Sequence, residues 1–118
     1  MLEKIGFKHK NKKINLECYR CNFIERIIGL MFSQKESANI LLFDFNKLTG
    51  ISIHSFFVFF PFLAVWLDSE GKIIEKRVIN PWNPFVLPKK KFVKLIEIPI
   101  NKKNSRVIHL LDDNTKHL

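Results

Sequence analysis

The sequence predicts a mainly β protein, a small antiparallel β-sandwich or jelly-roll-like barrel with one short helix. Three observations carry this. Leu63–Leu67 and Lys72–Ile79 are alternating runs on either side of Asp68–Gly71, the pattern of a hairpin whose Gly71 can take a positive φ. The Phe-rich run Ile51–Phe60 ends at Pro61, which has no N–H for a ladder and therefore reads as the junction of two strands. Helical spacing occurs in one place only, where Phe23, Ile27, Leu30 and Met31 recur with Glu25 and Arg26 on the other side.

In chain order, Met1–Asn15 is polar and basic and reads as a short edge strand or loose arm. Asn22 can cap a helix over Asn22–Met31 that Gly29 weakens or ends. Ser33–Ala38 is a polar connector. Ile40–Phe45 is too short for an ordinary helix and runs into a polar Asn46–Gly50 turn, so it reads as a strand. Ile51–Phe60 and the hairpin Leu63–Ile79 follow. Asn80–Lys91 holds Pro81, Pro84 and Pro88 with Trp82 and Phe85, an ordered loop held by its aromatics. Phe92–Ile98 is a last strand, and the signal fades beyond Asn101.

A chain of 118 residues is expected to form a single domain, with the basic arm 1–15 and the tail 102–118 loosely ordered. The apolar fraction of 47% supports a packed core. Phe56–Leu67 lacks any charged or polar side chain, yet its 12 residues fall short of a membrane span and Pro61 interrupts them, since a spanning helix takes about 20 residues. The basic start has no apolar block after it, so no secretory signal is read, and a soluble cytoplasmic protein without membrane insertion is expected. The net charge of +9 is spread over both flanks: residues 1–50 carry nine basic and five acidic groups, 51–71 none and two, 72–118 eleven and four. Such a field attracts anions, nucleic acid included, but only four of the basic groups are Arg, which disfavours bidentate phosphate recognition.

The segments ERIIGLMF (Glu25–Phe32), ILLFDF (Ile40–Phe45), IHSFFVFFP (Ile53–Pro61), WLD (Trp66–Asp68) followed by KII, and KKFVKLIEIP (Lys90–Pro99) occur together in this order. The combination resembles the domain of unknown function 192 family, its archaeal-type members most closely, over about Cys21–Pro99. The resemblance implies a compact, mostly β fold and no established substrate, cofactor or catalytic residue. Two departures stand out. Leu63 occupies the place of the family's usual Asp after the FFP block, and Ile100–Leu118 lacks the family's Gly-bearing turn.

Few residues offer chemistry. Cys18 and Cys21 form a C-x-x-C that supplies half of a structural metal site and otherwise reads as two thiols in a reducing compartment. No cofactor and no metal are expected. His54, between Ser52 and Ser55, is the only imidazole in the apolar block and reads as a structural histidine or a pocket residue; as a catalyst it would need a carboxylate, with Asp44 and Asp68 as candidates. Trp66, Trp82 and Phe85, with Asn83 and Arg77 at the polar edge, either line a ligand cleft or close the end of the fold. Lys89, Lys90 and Lys91 are the candidate polyanion contact. The reading that follows is a non-catalytic ligand-binding or interaction module. The alternatives are a weak polyanion binder through the flanks, which requires Lys10, Lys12, Lys13, Lys89–Lys91, Lys102 and Lys103 to share a face, and an enzyme built on His54.

Overall fold

The computed structural model describes residues 2–111. Six strands form one sheet in the order β1-β2-β3-β6-β4-β5: β1 (Leu2–His9), β2 (Lys12–Arg20), β3 (Leu41–Thr49), β4 (Phe62–Leu67), β5 (Ile73–Ile79) and β6 (Phe92–Pro99). Helix α1 (Phe23–Ile28) follows β2, and a 3₁₀ turn, Lys102–Asn104, leads into α2 (Ser105–Leu111). The mainly β expectation holds. The sheet is mixed, because β2 runs parallel to β3 through Tyr19↔Leu41 and Arg20↔Leu42 while every other pair is antiparallel. It curls into a half-barrel whose ends approach each other, Lys8 N–H donating to the Gly71 carbonyl at 3.3 Å.

Each strand forms for a local reason. β1 and β2 join through Lys10 and Asn11, at φ 50° and 64°, the two successive positive values of a type I′ hairpin turn that matches the strand twist. The hairpin β4–β5 lies where the sequence places it. The Asp68 carboxylate accepts the N–H groups of Glu70 and Lys72, both at 2.9 Å, and Gly71 sits at φ 78°. β4 lies between β6 and edge strand β5 and is buried along its whole length, so the alternation expected of Leu63–Leu67 is absent and the strand is an unbroken apolar run.

Alternation sends β-strand side chains into two cores. Inside the curl Phe7, Leu16, Leu42, Val65, Ile96 and Ile98 pack together, and Ile108 and Leu111 of α2 close the space. On the outer face Phe43, Phe62, Ala64, Trp66, Phe92 and Leu95 are covered by Leu30, Val58, Phe60 and Val86.

Four expectations need correction. The arm 1–15 is not loose: it forms β1 and the start of β2, paired from Leu2↔Tyr19 to His9↔Lys12, with Phe7 and Ile14 buried. Ile51–Phe60 is not a strand. Its only ladder contact is Ile53 with Val86, two hydrogen bonds of 2.8 Å, after which Phe57 at φ 59° turns the chain, burying Val58 and Phe60 and leaving Phe59 outside. Fully buried Ser55 ties this segment to the 80–88 loop, its hydroxyl donating to the Asn80 carbonyl and accepting the Asn83 N–H, both at 2.7 Å. The helix is shorter than Asn22–Met31, and its apolar stripe faces outward: none of its residues is buried, and Leu30 beyond it is. The chain past Asn101 is ordered as far as Leu111, since Asn101 caps the 3₁₀ turn and its amide donates to the Lys35 carbonyl at 2.8 Å. The rest of the tail, 112–118, lies outside the described residues.

Candidate functional site

Between α1, β3 and the 51–58 segment, on the outer face of the sheet, lies a cavity of about 610 Å³, within the range of small-molecule sites. Phe23, Arg26, Ile27 and Ile28 form one wall, Phe43, Phe45 and Lys47 another, and Ile51–His54 with Val58 a third. Glu97 of β6 also lines it, beside Gly29 and Leu30.

Local chemistry sets each wall. Asn22 and Glu25 make a reciprocal capping box at 2.9 Å each, which fixes the start of α1. Tyr19 donates its hydroxyl proton to Glu25 at 2.9 Å, so the Asn22 N–H and then Tyr19 hold the Glu25 carboxyl below its ordinary value. Gly29 ends the helix at φ 55°, ψ −129°, its N–H donating to the Glu25 carbonyl at 2.7 Å. Asp44 is pushed up by burial, but hydrogen bonds from the Asn46 N–H and Arg20 outweigh this and keep it ionised, pinning β3 to β2. Arg26 donates to the Asp44 carbonyl at 3.2 Å and lies 5.2 Å over the Phe45 ring and 5.8 Å over Phe23, a guanidinium roof held by backbone and aromatic faces.

Glu97 differs from these. It is 4% exposed, and no described residue offers its carboxyl a hydrogen bond or an ion pair. Burial alone pushes its pKa up to about 8, which favours the protonated carboxyl, a form that presents one O–H donor and free acceptor capacity. A Cβ built on Gly29 would lie 3.5 Å from Oε1 of Glu97 and 3.7 Å from Cζ of Phe43, ordinary contact distances. The demand for glycine at 29 therefore comes from its backbone angles. Gly29→Ala is expected to cost about 1–3 kcal/mol, read as a lower urea midpoint with an unchanged slope; an unchanged midpoint would show that the segment relaxes freely.

The sequence-derived candidates are dispersed. His54 lines the cavity, exposed, and its Nδ1 accepts the Phe56 N–H at 3.2 Å, which leaves the proton on Nε2. Ser52, His54 and Glu97 share this pocket, but no hydrogen bond among the described residues joins them. Trp66, Arg77, Trp82, Asn83 and Phe85 do not line it. Trp66 is fully buried with Arg77 5.6 Å from its ring; Trp82 and Phe85 are exposed, and the Asn83 side chain accepts the Phe85 N–H at 3.2 Å. Of the candidate carboxylates, Asp44 is bound to Arg20 and Asp68 to its own turn. Lys89 and Lys90 flank Glu75–Arg77, Lys91 passes Gly50, Lys10, Lys12 and Lys13 line a separate cleft with Arg106, and Lys103 donates to Ser37. Cys18 and Cys21 are free thiols buried in opposite cores, with burial pushing them up to about 11 and about 12.

Glu97, Arg26 and Phe45 are site residues that the sequence alone does not single out. The available signal was an acid between Ile96 and Ile98 in a segment already read as a strand, on the parity of buried Leu95.

No family model matches the chain. Two solved structures share its fold: a putative transcription regulator from Sinorhizobium meliloti, TM-score 0.67 at 14% identity over 80% of this chain and 76% of that one, and a protein of unknown function from Novosphingobium aromaticivorans, TM-score 0.67 at 13% identity over 90% and 78%. Sequence similarity reaches further. A UPF0127 protein of Pyrococcus horikoshii is 30% identical over 84 residues, 71% of this chain and 72% of that protein. Another, from Pyrococcus abyssi, is 33% identical over 79 residues, 67% of each. At this identity and coverage the chain belongs to the UPF0127 family.

Proposed function

We propose that this protein is a non-catalytic binding module whose site is the cavity over Glu97, taking one small, largely apolar molecule with a single polar group that hydrogen-bonds to the Glu97 carboxyl. The Glu97 carboxyl carries this reading: it lines the cavity, burial favours its protonated form, and no described residue hydrogen-bonds to it, so its donor and acceptors are free for a complementary ligand group. Catalysis by His54 is less well supported: with Nδ1 engaged and the proton on Nε2, the imidazole offers the pocket a donor rather than a base. The polyanion reading is weakened by the division of its lysines among separate clefts. We also infer that the chain is an archaeal-type member of the domain of unknown function 192 family, as GLMF and IHSFFVFFP suggest, and that it works in the cytoplasm, where two buried free thiols stay reduced. No helix among the described residues is long and apolar enough to cross a membrane.

A titration with N-phenyl-1-naphthylamine, an apolar fluorophore with one N–H, tests the site. One-to-one binding is expected. Ile28→Trp, placed on the half-exposed wall, should weaken it about tenfold or more by filling the cavity. Glu97→Leu should weaken it about fivefold, the value of one hydrogen bond. Affinity indifferent to both substitutions would remove the cavity as the site.

A further inference from the structure

Apart from Leu2 and Leu110, every exposed large apolar side chain among the described residues sits on α1, at Phe32, at the end of β3, or in the 50–61 and 80–91 connections. They are not scattered. Phe57 stacks on Phe32 at 5.0 Å and meets Trp82 edge-on at 4.9 Å, and Phe59 and Phe56 approach the same indole at 5.7 and 6.5 Å. These rings are 40–67% exposed, so the cluster is a surface rather than a core. It continues past His54 to the cavity mouth and α1. A contiguous apolar surface of this extent marks a contact with something else.

The backbone beneath it is unusual. Phe32, Phe57 and Trp82 have φ values of 61°, 59° and 63°, a region that bulky residues rarely enter. Three such residues lie in one cluster, all with exposed rings, and the backbone bonds from the Phe32 N–H to the Phe57 carbonyl and from the Trp82 N–H to the Ser55 carbonyl, both 2.9 Å, hold two of them in place.

Charge names the partner. The segments 45–61 and 80–91 contain Lys47, Lys89, Lys90 and Lys91 and no acidic residue. All four lysines are exposed: Lys47 stands with Arg26 at the cavity mouth, Lys91 passes Gly50, and Lys89 and Lys90 lie in the cleft with Glu75 and Arg77. A second copy docking on this face would bring two cationic rims together, with few acids on these elements to offset them. An anionic bilayer meets both features, phosphate against lysine and acyl boundary against Phe, Ile and Trp.

We propose that this face docks the protein peripherally on an anionic lipid bilayer, seating Phe56, Phe57, Phe59 and Trp82 at the headgroup boundary with Lys47 and Lys89–Lys91 against the lipid phosphates. This inference stands whether or not the cavity binds a ligand.

Co-sedimentation of the full chain with phosphatidylcholine vesicles, with and without about 30% phosphatidylserine, tests it. Binding is expected to the anionic vesicles and to fall at high salt. Trp82 emission should shift to the blue on binding, a change that Trp82→Phe abolishes because the other indole, Trp66, is already buried. Phe57→Ser with Phe59→Ser leaves the charge unaltered and should weaken binding about tenfold or more, since two exposed rings no longer leave water. Lys12→Glu with Lys13→Glu, in the cleft beside α2, should weaken it far less. Binding that follows total charge and ignores Phe57 and Phe59 would overturn the proposal. So would a dimer in ultracentrifugation that Phe59→Ser dissolves, since the face would then belong to a second copy.

Discussion

Ile96→Asp is expected to abolish cooperative folding. Ile96 lies on β6 in the middle of the sheet, between Leu42 of β3 and Val65 of β4, and all three are fully buried in the inner core. No charged side chain sits opposite it on either neighbouring strand, so an Asp there would be a carboxylate without a partner. Such a group costs several kcal/mol even after it takes up a proton, on the order of the 5–15 kcal/mol that stabilises an ordinary domain. Ile96→Val, which removes one methylene, should cost about 0.5–1.5 kcal/mol. The pair is read by circular dichroism and urea unfolding. A soluble Asp variant with a near-native midpoint would mean that the inner face of β6 reaches water.

The part of this architecture that sequence made legible is the part decided locally. The β4–β5 hairpin follows from Asp68 folding its carboxylate onto the next N–H groups and from Gly71 accepting positive φ, all within five residues. The start of α1 is likewise written in Asn22 and Glu25. Ile51–Phe60 departs from the strand expectation because composition does not distinguish a strand from a segment that covers a sheet. Val58 and Phe60 are buried in both readings, and the difference lies in Phe57 taking a left-handed conformation and Ser55 bonding 25 residues away. The direction of the α1 stripe is hidden for a related reason: helical periodicity reports a shared face, and nothing in it says whether that face meets a core, a cavity or a partner.

The site divides in the same way. His54 could be noticed because an imidazole in an apolar block is conspicuous. Glu97 acquires meaning only when the order β3-β6-β4 places it under Gly29, 68 positions earlier in the numbering, beside Phe43. That order is a property of the closed sheet. The aromatic sets divide too: the sequence offers Trp66 and Trp82 as one cleft or as the closed end of the fold, but strand parity sends Trp66 into the outer core while the left-handed turn at Trp82 sends the other into solvent.

Stability should fall as pH rises from about 5 to 8, and Glu97 is the cause. Its pKa moves from 4.5 in the ordinary state to about 8 in the folded protein. The folded state therefore binds more protons than the unfolded one between these values, and the slope of unfolding free energy with pH is negative. The contribution is fully present below the unfolded value and lost as pH climbs through the folded one, with a limiting slope of about 1.4 kcal/mol per pH unit and a total on the order of 3–5 kcal/mol. Neighbouring charges do not reverse the sign. Arg26 on α1 and Lys47 on β3 line the same cavity, with the neutral His54 imidazole of the 51–58 segment, and the two cations would favour the carboxylate, yet burial dominates because Arg26 is engaged by the Asp44 carbonyl and two rings, while Lys47 is solvated. Glu25 and Asp44, with lowered pKa values, act with the opposite sign and at lower pH, losing their contribution as acid protonates them. Cys21, the thiol that feels Glu97, titrates far above this window. Urea unfolding at several pH values between 5 and 8 should show the decline in the native protein and a nearly flat profile in Glu97→Gln, which keeps the shape and hydrogen-bonding capacity without the titration. Parallel profiles for the two proteins would place the Glu97 carboxylate in contact with water or a cation, and with it the polar anchor of the proposed site would be lost.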